Sequence, residues 1–372
     1  MRSHSLSRRT WLRQLGVGAG ALAATRAFEG FPLASASQPS TGSQPTAPQP
    51  RSSGGGFFPP DEAKVISEDC LHLNLWTSSV GQGGKRPVLV WFHPGAYSSM
   101  TSNTSGYDGV RLCRRGDVVV VTVNHRLNVF GYLYLAELGG ADFADSGNAG
   151  MLDLVLALQW VRDNITQFGG DPKNVTIFGQ SGGGAKCATL MAMPSARGLF
   201  HRVWTMSGQQ ITATRPVTGN KHASDVLAAL SMTPDRLRDP KVASMDQLLA
   251  ARARGSYFGP VKDGRSLPRD PFDPDAPPLS ADIPMVFDNV ALCAQMTGNP
   301  PEAQHVADQM SEALLAFART GNPNTKAIPR WPAFSLAERP TMAFNVAAKI
   351  ENDPRSDERR MFEKVPYVQP GT

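Results

Sequence analysis

Several things that would direct a reading of this chain are scarce in it. Among 372 residues there are four cysteines and seven histidines. Cys70, Cys113, Cys187 and Cys293 are dispersed without metal-ligand spacing, which gives neither a metal or cofactor signature nor a disulfide framework; buried thiols are the expected state. Long apolar runs are lacking as well. The stretch at residues 15–24 is short and interrupted by glycines, too little for a helix across a bilayer, so no stable membrane insertion is expected. Net charge is +5, but Arg2, Arg8, Arg9 and Arg13 crowd the N-terminus. No stripe of lysine and arginine is interleaved with aromatics, so the basic balance does not argue for nucleic acid as a partner.

What is present begins with an export-like leader. Ser7-Arg8-Arg9-Thr10-Trp11-Leu12 precedes the glycine-rich apolar stretch, an arrangement that resembles a twin-arginine signal, and Ala34-Ser35-Ala36 is a small-x-small cleavage site. A chance Arg-Arg beside a flexible tail is the alternative. Residues 1–36 are accordingly expected to be removed and the protein to be periplasmic or secreted. Residues 37–60 are rich in serine, glutamine, proline and glycine without apolar period, a linker with little reason to fold. The length permits one large or two small domains, and residues 61–372 are read as one.

Within that domain, residues 68–76 alternate with leucine at every second place, as an antiparallel strand does. Residues 87–92 and 118–123 are nearly continuous apolar runs that suit strands buried on both faces. Residues 148–168 carry Leu152, Val155, Leu156, Leu158, Trp160 and Val161 at helical spacing and exit through Gly169-Gly170-Asp171-Pro172. A short β-favouring run, 174–178, then leads into Gly179-Gln180-Ser181-Gly182-Gly183, followed by a helix-capable apolar stretch, 185–193, and a last short strand within 201–208. Strands and helices alternating in this order predict an α/β fold of three layers with a mostly parallel central sheet.

Ser181 stands where a strand turns abruptly into a helix, with small residues on both sides. That is the context of a G-x-S-x-G nucleophile elbow, in which a strained backbone exposes the serine hydroxyl above a helix N-terminus that favours developing negative charge. An ordinary glycine-rich turn is the plainer alternative for an isolated pentamer.

Several ordered segments remove that isolation: Ser67-Glu68-Asp69-Cys70-Leu71-His72-Leu73-Asn74-Leu75-Trp76, the run from Asp117 through Asn124-His125-Arg126-Leu127, Trp160-Val161-Arg162-Asp163-Asn164-Ile165, Phe168-Gly169-Gly170-Asp171-Pro172 and the elbow. Together they resemble the type-B carboxylesterases, the α/β-hydrolase family that includes cholinesterases and bacterial para-nitrobenzyl esterases. The resemblance implies an α/β-hydrolase fold and acyl transfer through Ser181, with an oxyanion hole from the backbone N–H groups of Gly182, Gly95 and Ala96, and no cofactor. The family usually has Glu-Ser-Ala where this chain has Gln180-Ser181-Gly182, and a glycine where Pro94 stands after His93. His93 matches a loop-supporting histidine, His125 replaces a frequent tyrosine, and His201 falls in a packing segment; none lies in the late loop that carries the family's base. The resemblance also implies a disulfide partner for Cys70 in an upstream region that this chain does not match.

The family pattern breaks in the C-terminal half. Asp263-Gly264 and its neighbours resemble the segment before the family's catalytic acid, whereas Asp282-Ile283-Pro284-Met285-Val286-Phe287 resembles the one just after its catalytic histidine. The two are fused, and the acid, the connecting helices and the histidine have no counterpart, so the fold is expected to be incomplete. The pattern resumes in an amphipathic helix at 307–320 and in Trp331-Pro332-Ala333-Phe334. Three functions stay open: a carboxylic-ester hydrolase by descent acting on a small-molecule ester, an inactive or severely impaired remnant or binding protein, and a non-hydrolytic adhesion module.

Overall fold

Five strands form the sheet that organises the protein, a computed structural model that describes residues 45–49, 65–80, 84–208, 212–239, 242–252, 257–271, 283–292, 300–362 and 364. In chain order they are β1 (Leu73–Trp76), β2 (Arg86–Phe92), β3 (Val119–Val123), β4 (Gly170–Gln180) and β5 (Arg202–Met206). Their spatial order is β1-β3-β2-β4-β5. Only β1 runs antiparallel, against β3; the remaining pairs are parallel. The runs in β2 and β3 are apolar at successive positions because both faces of the sheet are covered.

Alternate side chains of these strands enter different cores. Val88, Val90, Phe92, Val175 and Ile177 pack on one face with the helix α1 (Ala149–Asn164) and with Cys187 and Leu190 of α2 (Gly182–Ala192). Leu89, Trp91 and Phe178 face the other way, onto Leu314 and Leu315 of α3 (Pro301–Thr320) and onto Phe287. The result is the three-layer α/β arrangement with a largely parallel sheet that the alternation of elements predicts. Phe287 sits in an aromatic cluster, edge-on to Trp91 at 4.9 Å and stacked with Phe178 at 5.4 Å. Beside it, the Asp288 carboxylate takes ion pairs from Arg111 and Arg115.

The structure refines the expectations in four places. β4 starts at Gly170 rather than near residue 174, because its register shifts: Arg86 pairs with Gly170, but Val88 pairs with Val175. The bulge takes up the stretch containing Pro172, which has no N–H to give a ladder. α2 begins at Gly182, so the elbow glycines are its first turn, and α3 begins at Pro301, a proline at the first helical position where its missing N–H is harmless. Within the stretch read as a linker, residues 45–49 pack against the domain. Thr46 bridges Ile66, and the Gln49 amide accepts from the Met100 N–H at 2.7 Å and donates to the Met100 carbonyl at 3.0 Å. The leader at 1–36 lies outside the described residues, as does Cys293; Cys70, Cys113 and Cys187 are buried thiols. Among the described residues no helix is long and apolar enough to cross a membrane.

Candidate active site

Register brings the site together. Phe92, the last residue of β2, pairs with Gly179 near the end of β4, and Val123 ends β3 beside Phe92. The loops after all three strands therefore gather at the carboxyl edge of a parallel sheet, where ligands are usually received in such folds. Ser181 is the turn between β4 and α2, with φ 51° and ψ −123°. A non-glycine residue there carries strain of about 1–3 kcal/mol. It is held by the Ser181 N–H donating to the Met206 carbonyl at 2.8 Å and by the Ser181 carbonyl accepting from the Ala185 N–H at 3.0 Å.

Against this turn lies the loop after β2. A Cβ placed on Gly182 would stand 2.4 Å from Ala96 Cα and 2.5 Å from Ala96 N, so only glycine admits such an approach of the two backbones. Gly95 (φ 88°) and Ala96 (φ 51°) are both left-handed. Each carbonyl from His93 to Ala96 has a donor. His93 O and Ala96 O accept from Lys186 Nζ at 2.9 and 2.8 Å, Pro94 O accepts from His93 Nδ1 at 2.8 Å, and Gly95 O accepts from the Ser98 and Ser99 N–H groups at 3.1 Å each. The N–H groups of Gly95, Ala96 and Gly182, by contrast, have no acceptor among the described residues. Gly182 is in the first turn of α2, whose leading N–H groups have no intrahelical partner. Pro94 contributes no N–H.

The described histidines are occupied elsewhere. His93 and His125 are buried and stacked, centroids 5.0 Å apart, and His125 Nδ1 donates to the Arg126 carbonyl at 2.8 Å. Burial first, and the nearby Lys186 second, hold both imidazoles well below the usual histidine pKa, which makes them neutral and weak as bases. Arg126 itself is clamped by Asp153, with bonds of 2.8 and 2.6 Å. His201 Nδ1 accepts from the Val175 N–H at 3.2 Å. That is the middle of β4, six residues before Ser181 and roughly 20 Å from it along the strand at its rise per residue. His222 packs on Phe258, and His305 meets Gln309 within α3. None of His93, His125, His201, His222 and His305 is hydrogen-bonded to Ser181. Among the described residues no group of His, Cys, Asp and Glu is placed to hold a metal ion.

One residue of the site is passed over by sequence reading. Lys186, on α2, is fully buried and runs under the loop to the two carbonyls named above, with its ammonium 5.6 Å from the centre of the Tyr97 ring. The available signal was a single cation in the otherwise apolar stretch 185–193.

A strained serine at a strand-to-helix turn, at the carboxyl edge of a parallel sheet covered on both faces, defines an α/β-hydrolase type of protein. The chain belongs to the carboxylesterase family: the model of the Carboxylesterase family matches residues 32–274. The para-nitrobenzyl esterase of Bacillus subtilis (strain 168) is 28% identical over 409 residues, covering 79% of this chain and 82% of that protein. Cholinesterase 1 of Branchiostoma lanceolatum is 40% identical over 229 residues, covering 55% of this chain and 62% of its own length. Among solved structures, a Geobacillus stearothermophilus carboxylesterase at pH 6.2 superposes with a TM-score of 0.73 at 30% identity, covering 80% of this chain and 86% of that one. A thermophilic para-nitrobenzyl esterase gives 0.75 at 26% identity, covering 85% and 88%.

Proposed function

We propose that this protein is a carboxylic-ester hydrolase by descent that retains the acyl-transfer serine and its anion pocket but works without the usual general base. The observation that carries the reading is the set of backbone N–H groups on Gly95, Ala96 and Gly182 with no acceptor among the described residues, beside a strained Ser181. In a trans peptide the N–H points away from its own carbonyl. With the Pro94 and Gly95 carbonyls engaged inside the loop, the Gly95 and Ala96 N–H groups are left to meet an oxyanion as Ser181 Oγ attacks an ester carbonyl. The substrate is a small neutral or aryl ester, and no cofactor enters the scheme.

Two observations support the loss of the acid and base segment. The alignment with the Bacillus subtilis enzyme runs over 409 residues, more than this chain possesses, yet takes in only 79% of it. The segments on either side of the join also occupy different layers: Phe258 and Leu267 pack in one core, Val286 and Phe287 in the other. Each has kept a docking place of its own, as pieces separated by a deletion would. The second reading, a catalytically silent binding protein, rests on the occupied histidines.

The test is steady-state hydrolysis of a short activated aryl ester by the folded protein and by Ser181→Ala, with active-site titration by an organophosphate. Turnover is expected about 10²–10⁴-fold below that of an intact relative, the usual contribution of general-base assistance, and abolished by Ser181→Ala. Ordinary enzyme turnover would require a substitute base, with His93, His125 and His201 the first to replace. Slow hydrolysis indifferent to Ser181→Ala would leave the silent reading standing.

A further inference from the structure

Resting on the reading of Ser181 as an acyl-transfer serine, we propose that Lys186 is the positioning residue of the anion pocket: its ammonium, buried beneath the loop after β2, draws the His93 and Ala96 carbonyls inward and places an uncompensated positive charge behind the site of oxyanion formation. Three features of the geometry support this. First, Nζ is bonded to two carbonyls of the very loop that carries the Gly95 and Ala96 N–H groups, at 2.9 and 2.8 Å. Second, Lys186 belongs to α2, whose first residue is Gly182, so one helix fixes the serine turn, one oxyanion donor and the clamp on the other two. Third, no carboxylate among the described residues balances it. The titratable groups facing it are His93 and Tyr97 from the loop after β2, His125 from the loop after β3 and Cys187 on α2 itself. Tyr132 and Tyr257 stand behind Tyr97, and Arg126 beyond His125.

A cation in a dry site acts on a developing oxyanion more strongly than one in water. Burial brings the Lys186 pKa down to about 7, and burial first and Lys186 second hold both facing imidazoles well below the usual histidine range, so among the groups facing the pocket Lys186 is the one whose charge is expected to change across pH 7. Below pH 7 the ammonium is present and the pocket favours an anionic adduct; as pH rises through 7 the charge is lost, although a neutral amine still donates to both carbonyls. The clamp and the charge are therefore separable.

The experiment measures phosphonylation of Ser181 by an aryl fluorophosphonate in wild type, Lys186→Met and Ser181→Ala, by intact mass, from pH 6 to pH 8.5. The Ser181 Oγ–P bond forms, the P–F bond breaks, fluoride leaves, and the serine proton goes to solvent. Wild type should react about tenfold or more faster than Lys186→Met at pH 6, and the ratio should fall across pH 7 to a smaller constant value that reports the clamp alone. Taking the ratio at each pH cancels the reagent's own pH dependence. A ratio independent of pH would overturn the proposal. No Ser181 adduct in wild type at any pH would instead overturn the acyl-transfer reading on which it rests. Should Lys186→Met fail to fold, the wild-type protein labelled with ¹³C-lysine decides: a lysine Cε resonance with its inflection between pH 6 and pH 8 supports the proposal, and titration of every lysine only near 10 refutes it.

Discussion

Gly182→Ala restores the residue the family usually carries after its serine, and in this chain it should nonetheless do harm. The new Cβ would lie 2.4 Å from both Cα and O of Ala96 and 2.5 Å from its N. Because carbon atoms rest at about 3.5–4.0 Å, the loop after β2 must retreat by about 1 Å. It cannot yield by turning a side chain, since the atoms in the way are backbone. Overpacking of this kind costs about 1–3 kcal/mol, and little of it is returned, because Gly182 is the first residue of α2 and the advantage of alanine over glycine belongs to a helix interior. The functional effect should be larger than the loss of stability. A misplacement of about 1 Å can cost 10²-fold in rate, and the retreat moves two of the three N–H groups proposed to receive the oxyanion together with the Ala96 carbonyl that Lys186 holds. Urea unfolding and the rate of Ser181 phosphonylation, measured on the same preparations, read the two effects separately. A variant about 1 kcal/mol more stable than wild type and labelled at the same rate would refute the reasoning, because it would mean that the two backbones do not press on each other.

Phe287→Ala should destabilise the protein by about 3–5 kcal/mol, since the ring is fully buried among Trp91, Tyr107 and Phe178; a loss below about 1 kcal/mol in urea unfolding would show that the segment after the join is not seated in that core. The leader read from Arg8-Arg9 and Ala34-Ser35-Ala36 predicts a mature protein beginning near Ser37, to be checked by N-terminal sequencing of the exported material, and intact protein confined to the cytoplasm would sink it.

The sheet was legible in the sequence because its strands are buried on both faces, and short continuous apolar runs such as those in β2 and β3, bounded by turn residues, suit a strand covered on both sides. The elbow was legible because close backbone approach narrows the choice of residue at its two flanks: a Cβ on Gly179 would stand 2.4 Å from the Gly183 carbonyl carbon, and one on Gly183 2.0 Å from the Phe92 oxygen. Other features were hidden for identifiable reasons. The packed stretch 45–49 is held by an isolated bridge at Thr46 and by the amide of Gln49, contacts that leave no periodic trace in a serine- and proline-rich composition. The early start of α3 lies in a turn whose apolar face is carried by Ala303 and Ala307, too small to mark a helical stripe. Lys186 carries no decisive signal in the sequence, because one cation in an apolar helix is ordinarily a side chain that reaches solvent, and the carbonyls it meets instead belong to residues some ninety positions earlier.

Ancestry and activity can separate in one molecule because the two halves of the machinery have different structural needs. The proposed anion pocket would be built by two short stretches, 93–96 and 179–186, joined by neighbouring strands and closed by backbone contacts and one lysine. Its geometry asks nothing of the C-terminal half beyond support of the sheet, and Phe287 with α3 supplies that on one face. A general base has the opposite requirement, because an imidazole must be carried over the serine on a long loop and oriented by a third group. His93 and His125, which follow β2 and β3, are instead buried and stacked on each other, each with a ring nitrogen bonded to a neighbouring carbonyl and its basicity lowered by burial. Turning either imidazole towards Ser181 would break that bond and unstack the pair that lies near Lys186, so a gain in base catalysis from His93 or His125 would come at the expense of the lysine-held loop it was meant to serve.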